Sequence, residues 1–91
     1  MVLSDLCEIK KNFIDADFWI KKNEKDSFDV LTKQYNKEYI GVKLVRTDLF
    51  VPDFFYYYMV YYQNRGIFRG LINYNYDVLE SKIKNLILPQ Q

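Results

Sequence analysis

The stretch Phe50–Gly66 reads FVPDFFYYYMVYYQNRG and sets seven aromatic side chains into the nine positions from Phe54 to Tyr62. Nearly every position is apolar, so helical and strand periods fit equally well and periodicity leaves both open. The residues around the run decide. Pro52 has the fixed φ of a first helical residue, and the N–H it lacks would be unpaired there anyway. Asp53 suits the positive N-terminal end of a helix and Arg65 the negative C-terminal end, while Gly66 can stop it. These signals predict a helix over 53–64. A strand remains the alternative, because Tyr, Phe and Val favour strands. On the helix, Phe55, Tyr58, Met59 and Tyr62 share a face, and Phe54, Tyr57 and Tyr61 lie beside it. The nine-residue run is about half of the ~20 residues a membrane span requires.

Working upstream, Tyr39–Arg46 reads as a strand with Ile40, Val42 and Leu44 on its apolar side, and Gly41 marks a bulge or a close backbone approach. Phe18–Lys21 and Phe28–Leu31 read as short strands joined by a turn at NEKD, residues 23–26. Nearer the start, Ser4 is a good N-cap, and Leu6, Ile9 and Phe13 recur at helical spacing, which predicts a short amphipathic helix over 5–14. Downstream, Asp77 and Glu80 fit a reciprocal N-capping pair, with Leu79 and Ile83 on one face of the helix that follows. Leu86–Leu88 then reads as a short strand before Pro89. The fold expected is α+β: a small single domain in which a short antiparallel or mixed sheet packs against the aromatic helix, with short helices towards both ends.

The 91 residues make one domain that can support a modest core unaided, a size at which oligomerisation or docking on a partner would be unsurprising. A net charge of +1, with both halves nearly neutral, excludes an acidic DNA mimic and a basic DNA coater. Cys7 is the only cysteine and histidine is absent. A disulfide scaffold is thereby excluded, and the commonest general base and metal ligand are missing. One thiol, with neither the basic nor the apolar region of a signal peptide at the start, points to a cytoplasmic protein. Lys outnumbers Arg by ten to three and Ala occurs once, a bias that suggests a phage, a virus or an AT-rich bacterium as the source.

Two enzyme signatures fail on context. Tyr39-Ile40-Gly41 matches the second half of the GIY-YIG nuclease signature, but the upstream segment FDVLTK holds no GIY. Pro52-Asp53 with Glu80-Ser81-Lys82 spells the PD-(D/E)xK nuclease pattern, whose chemistry needs two carboxylates on one Mg²⁺ and a Lys beside the attacking water. Here Asp53 reads as a helix-start residue and Glu80 as a capping partner. The expectation is no catalysis, no cofactor and no bound metal, with a small Mg²⁺ nuclease as the third reading. The tyrosine run carries no basic residue between Phe54 and Tyr62, so core packing outweighs base stacking, with one edge left for a partner. Lys33 and Lys37 precede the Tyr39 strand, Lys43 and Arg46 lie on it, and Arg65 and Arg69 follow the aromatic helix. These cations offer a phosphate-facing surface, or else plain solvated charge.

The order of the pieces resembles the C-terminal half of a target-recognition domain from type I restriction–modification specificity subunits, over residues 39–89. In that family a strand leads into an aromatic helix of the kind that Pro52, Asp53, Phe54, Phe55, Tyr56, Tyr57, Tyr58 and Gln63 spell. A closing element follows, of the kind spelled by Leu79, Ile83, Leu86, Leu88 and Pro89. The family's Gly-Ser/Thr-rich segment is replaced by LINYNYDV, and its long spacer helix would begin where this sequence stops. The resemblance implies a noncatalytic recognition module, derived from a phage or mobile element, that binds DNA or a DNA-modifying complex. The aromatic helix would be scaffold, and Lys43, Arg46, Arg65 and Arg69 would contact phosphates. The alternative is a protein–protein interaction or homo-oligomeric protein that uses the leftover aromatic edge.

Overall fold

Residues 1–22, 29–71 and 74–88 are described by the computed structural model. Along the chain lie α1 (Leu3–Leu6), β1 (Cys7–Lys11), β2 (Phe18–Ile20), β3 (Leu31–Thr32), β4 (Ile40–Leu44), α2 (Pro52–Asn64), a 3₁₀ turn at Arg69–Leu71, and α3 (Tyr76–Lys84). The strands form one sheet in the order β1-β4-β2-β3, and every pairing is antiparallel. The last strand in sequence is therefore inserted between the first two.

The register assigns the two faces of the sheet. Ile9 stands opposite Val42, Phe18 also opposite Val42, and Ile20 opposite both Ile40 and Leu31. Directly paired residues share a face, so Cys7, Ile9, Phe18, Ile20, Leu31, Ile40, Val42 and Leu44 make one apolar surface. All eight are buried, together with Leu3 and Leu6 of α1, Phe55 and Met59 of α2, and Leu79 and Ile83 of α3. Helices thus cover one face of an antiparallel sheet, the α+β arrangement the sequence predicts. On the other face the loop after β1 crosses β4 at Gly41. A Cβ there would lie 2.4 Å from that of Phe13 and 2.9 Å from that of Ala16, so the close approach expected at Gly41 is real. Trp19 closes this face by donating its indole N–H to the Phe13 carbonyl at 2.9 Å.

The N-terminal segment corrects the helix expected over 5–14. Helix α1 ends at Leu6, and Cys7–Lys11 is a strand. The helical spacing of Leu6, Ile9 and Phe13 coexists with an alternation in which Cys7 and Ile9 are buried and Glu8 and Lys10 exposed. Five residues paired with β4 satisfy more backbone than a helix lying alone at this length, so tertiary pairing overrides the local pattern. Asn12, with φ of 52°, turns the chain out of the strand. Ser4 is not the cap, because the N-cap position is Val2 and has no side-chain bond.

Elsewhere, β2 falls where the sequence places it, and the second short strand is β3 at Leu31–Thr32. The turn at residues 23–26, and Phe28, lie outside the described residues. The expected Asp77–Glu80 capping pair is replaced by an earlier cap. Asn75 is the N-cap of α3, its side chain accepting from the Val78 N–H. Glu80 instead accepts from the Lys11 backbone N–H at 3.1 Å, and Asp77 pairs with the Lys11 ammonium. Both carboxylates thereby tie α3 to the end of β1. The expected strand at Leu86–Leu88 is a single antiparallel bridge between Ile87 and Val2; Pro89 lies outside the described residues.

Candidate functional site

Helix α2 begins at Pro52 as the sequence predicts, and Gly66, with φ of +89°, turns the chain just past its end. Its inner face is core. Phe55 and Met59 are fully buried, and the Phe55 ring lies 5.4 Å from Phe50 and 6.3 Å from Phe18. Tyr56 stacks on Phe18 at 5.5 Å. Tyr58 meets Tyr62 edge-on at 4.8 Å, and burial together with the hydrogen bond to Tyr62 raises its hydroxyl pKa to about 12.

Gln63 is the buried polar group on this inner face. Its Oε1 accepts from the backbone N–H groups of Val30 at 2.7 Å and Leu31 at 2.9 Å, and its Nε2 donates to Asp29 at 3.3 Å. The side chain therefore takes the place of a neighbouring strand at the entry to β3, satisfying two donors that would otherwise be buried unpaired.

The outer face of α2 differs in kind. Phe54 is 75% exposed, Tyr57 71% and Tyr61 49%, and helical geometry puts all three in one stripe opposite Met59. They leave on the order of 400 Å² of ring surface in water, within the range of the largest, often functional, patch on a typical monomer. No charged side chain interrupts the stripe between Phe54 and Tyr61. Asp53 stands at one end, in an exposed ion pair with Lys33 at 3.5 Å. Arg65 stands at the other, with its guanidinium 4.8 Å from the centre of the Tyr61 ring. Beyond Tyr61 the stripe runs into an open groove of about 490 Å³ lined by Tyr61, Tyr62, Arg65, Gly66, Ile67 and Ile87, where Ile87 is 71% exposed.

The four cations singled out in the sequence do not gather on one surface. Lys43 lies on the sheet face away from α2 and donates to the Asp15 carbonyl at 3.2 Å. Arg46 follows β4 and holds Asp48 in a bidentate pair at 3.0 and 2.9 Å, which keeps the Asp48 carboxyl below its ordinary pKa. Arg65 and Arg69 flank Gly66 at the far end of α2, and both are exposed. The 13 residues of α2 separate the Arg46 end from the Arg65 end by about 20 Å.

The remaining candidates do not come together. Asp53 and Glu80, the carboxylates of the nuclease pattern, belong to different elements and bond to Lys33 and to the Lys11 backbone respectively. Among the described residues, no three His, Cys, Asp or Glu side chains are grouped to hold a metal ion, and no helix is long and apolar enough to cross a membrane. Cys7 is buried, and burial, with the Asp17 carboxylate nearby, pushes its thiol pKa to about 12. Such burial disfavours the thiolate form.

The fold and this face define a small α+β domain with a two-sided aromatic helix, one side core and the other in solvent. No family model, curated protein or solved structure matches the chain. The sequence placed Phe54, Tyr57 and Tyr61 beside the core face and read most of the aromatic run as core; of its seven aromatics only Phe55 is buried, because the helix turns those three to the side opposite Met59. Ile87 and the groove were not legible in the sequence, because they depend on how the Leu86–Leu88 segment returns to Val2.

Proposed function

We propose that this protein is a noncatalytic recognition module that docks on a protein through the outer face of α2. The observation that carries the reading is the stripe of Phe54, Tyr57 and Tyr61, uncharged along its length and exposed on a helix whose opposite side is core. Interface centres are rich in Tyr, Phe and Arg and poor in Lys and Glu, with charge kept to the rim. Asp53 and Arg65 bracket the stripe in that manner. Exposed tyrosines also supply rigid contact area with a hydroxyl to satisfy. Photo-crosslinking tests the reading. A benzoylphenylalanine at position 57 is expected to form intermolecular adducts, and the same group at position 14, exposed on the other side of the sheet, is not. Absence of adducts from position 57, in the purified protein and in a lysate of its source alike, would refute it.

A second reading, contact with DNA or with a complex bound to it, draws on Arg65 and Arg69. Both are exposed on either side of Gly66, and backbone phosphates are held by such side chains. Lys43 and Arg46 would contribute only to contacts on other surfaces. The reading requires duplex binding that weakens as salt rises and is lost in Arg65→Gln/Arg69→Gln. No gel shift at low salt would remove it.

A further inference from the structure

We infer that the occupant of the α2 face is a second copy of this chain, packed antiparallel about a two-fold axis at the level of Met59. The inference rests on the docking reading above and names its partner. A two-fold interface must be self-complementary, with each residue that contacts a second contacted by it in return. Tyr57 and Tyr61 are equidistant from position 59, so the axis sets Tyr57 of one copy against Tyr61 of the other, twice. Arg65 falls within one residue, about 1.5 Å, of the level of Phe54 of the second copy. The two residues lie about 20° apart around the helix, and an antiparallel two-fold brings like flanks together. The guanidinium already sits over its own Tyr61 ring at 4.8 Å, so Phe54 of the second copy completes an aromatic–cation–aromatic stack.

The groove and the charges fit the same arrangement. The open space beside Tyr61, Arg65 and Ile87 lies at the level where the second copy presents Phe54 and Val51, the latter 65% exposed. Asp53 of one copy falls level with Arg65 of the other but about 120° away around the helix, so the two form no direct pair, and the antiparallel helix dipoles favour this orientation. The area is sufficient. The three rings supply about 800 Å² between two copies. Val51 at the helix start and Ile87 in the groove, 65% and 71% exposed, bring the total to the ~1,200 Å² of a specific interface. A net charge of +1 sets almost no repulsion against pairing.

Sedimentation equilibrium over a range of concentrations tests the inference. The wild-type mass is expected to rise from 11.1 kDa to twice that value. Tyr57→Lys removes an interface centre twice per dimer and is expected to weaken association on the order of 1,000-fold, as is Tyr61→Glu. Both sites are exposed, so far-UV circular dichroism stays unchanged. Mixing the two variants sets the introduced lysine of one chain against the introduced glutamate of the other and leaves the second Tyr–Tyr layer intact, so association is expected to return. A wild-type monomer at all concentrations, a dimer indifferent to Tyr57→Lys, or no recovery on mixing would overturn the second-copy assignment. A monomer that crosslinks from position 57 to a different protein overturns this inference while the docking reading stands. A monomer that crosslinks to nothing removes both.

Discussion

Replacing Gln63 with methionine keeps the length and volume of a buried side chain and removes its hydrogen bonds. Gln63 is 5% exposed, and the two N–H groups that it accepts belong to Val30 and Leu31, themselves 4% and 6% exposed. Water cannot replace the lost acceptor without opening the layer between α2 and β3. A buried donor left unpaired costs about 1–3 kcal/mol, so the two together cost about 2–4 kcal/mol once relaxation is allowed. A 91-residue chain has roughly 5–14 kcal/mol in total, so the variant folds with a much lower midpoint. Urea unfolding at unchanged m-value measures the loss, and hydrogen exchange at Val30 and Leu31 localises it. Gln63→Glu sharpens the test. It keeps an acceptor but replaces the donor to Asp29 with a second carboxylate, so its deficit is expected to shrink as pH falls and carboxyl groups protonate. A loss under about 0.5 kcal/mol for Gln63→Met, or unchanged exchange at the two amides, would refute the reasoning.

Two further perturbations probe the opposite face and the core. Gly41→Ala forces a methyl group to 2.4 Å from the Phe13 Cβ and is expected to cost about 1–3 kcal/mol or more, read as a lower thermal midpoint; an unchanged midpoint would mean that the loop does not cross β4 this closely. Cys7 keeps its proton in the folded state up to about 12, against 9.0 for the ordinary thiol. Because the unfolded chain releases that proton first, stability is full below about pH 9 and falls through the window up to 12 by as much as ~1.4 kcal/mol per pH unit. The fall is expected to be smaller in Cys7→Ala. Iodoacetamide at pH 8 should modify Cys7 only after unfolding, as mass spectrometry would record.

Much of α2 was legible in the sequence because Pro52, Asp53 and Gly66 are punctuation whose physics acts locally. Strand β4 was legible from the alternation of Ile40, Val42 and Leu44, and the close approach at Gly41 from the missing side chain. The first strand was not, because Leu6, Ile9 and Phe13 satisfy a helical period while Cys7 and Ile9 satisfy a strand period, and only pairing with β4 selects between them. The α3 cap was misplaced by one element of context: Asn75 satisfies the Val78 N–H, which leaves Asp77 and Glu80 to reach Lys11 across 66 and 69 residues of sequence. The same limit applies to the site. Arg65 and Arg69 are four residues apart and both lie just past the end of α2, whereas Lys43 and Arg46 fall on other surfaces because strand alternation and a loop intervene. That Gln63 serves β3 could not be read from sequence, since its partners lie more than 30 residues away.

The two-sided character of α2 is tested most directly by adjacent substitutions of the same residue type. Phe55 is fully buried and Phe54 is 75% exposed. Phe55→Ala is expected to cost about 3–5 kcal/mol in urea unfolding, and Phe54→Ala to stay within about 0.5 kcal/mol of wild type when measured on the dissociated monomer. Equal costs at the two positions, or the reverse order, would contradict the helix register on which the docking face depends.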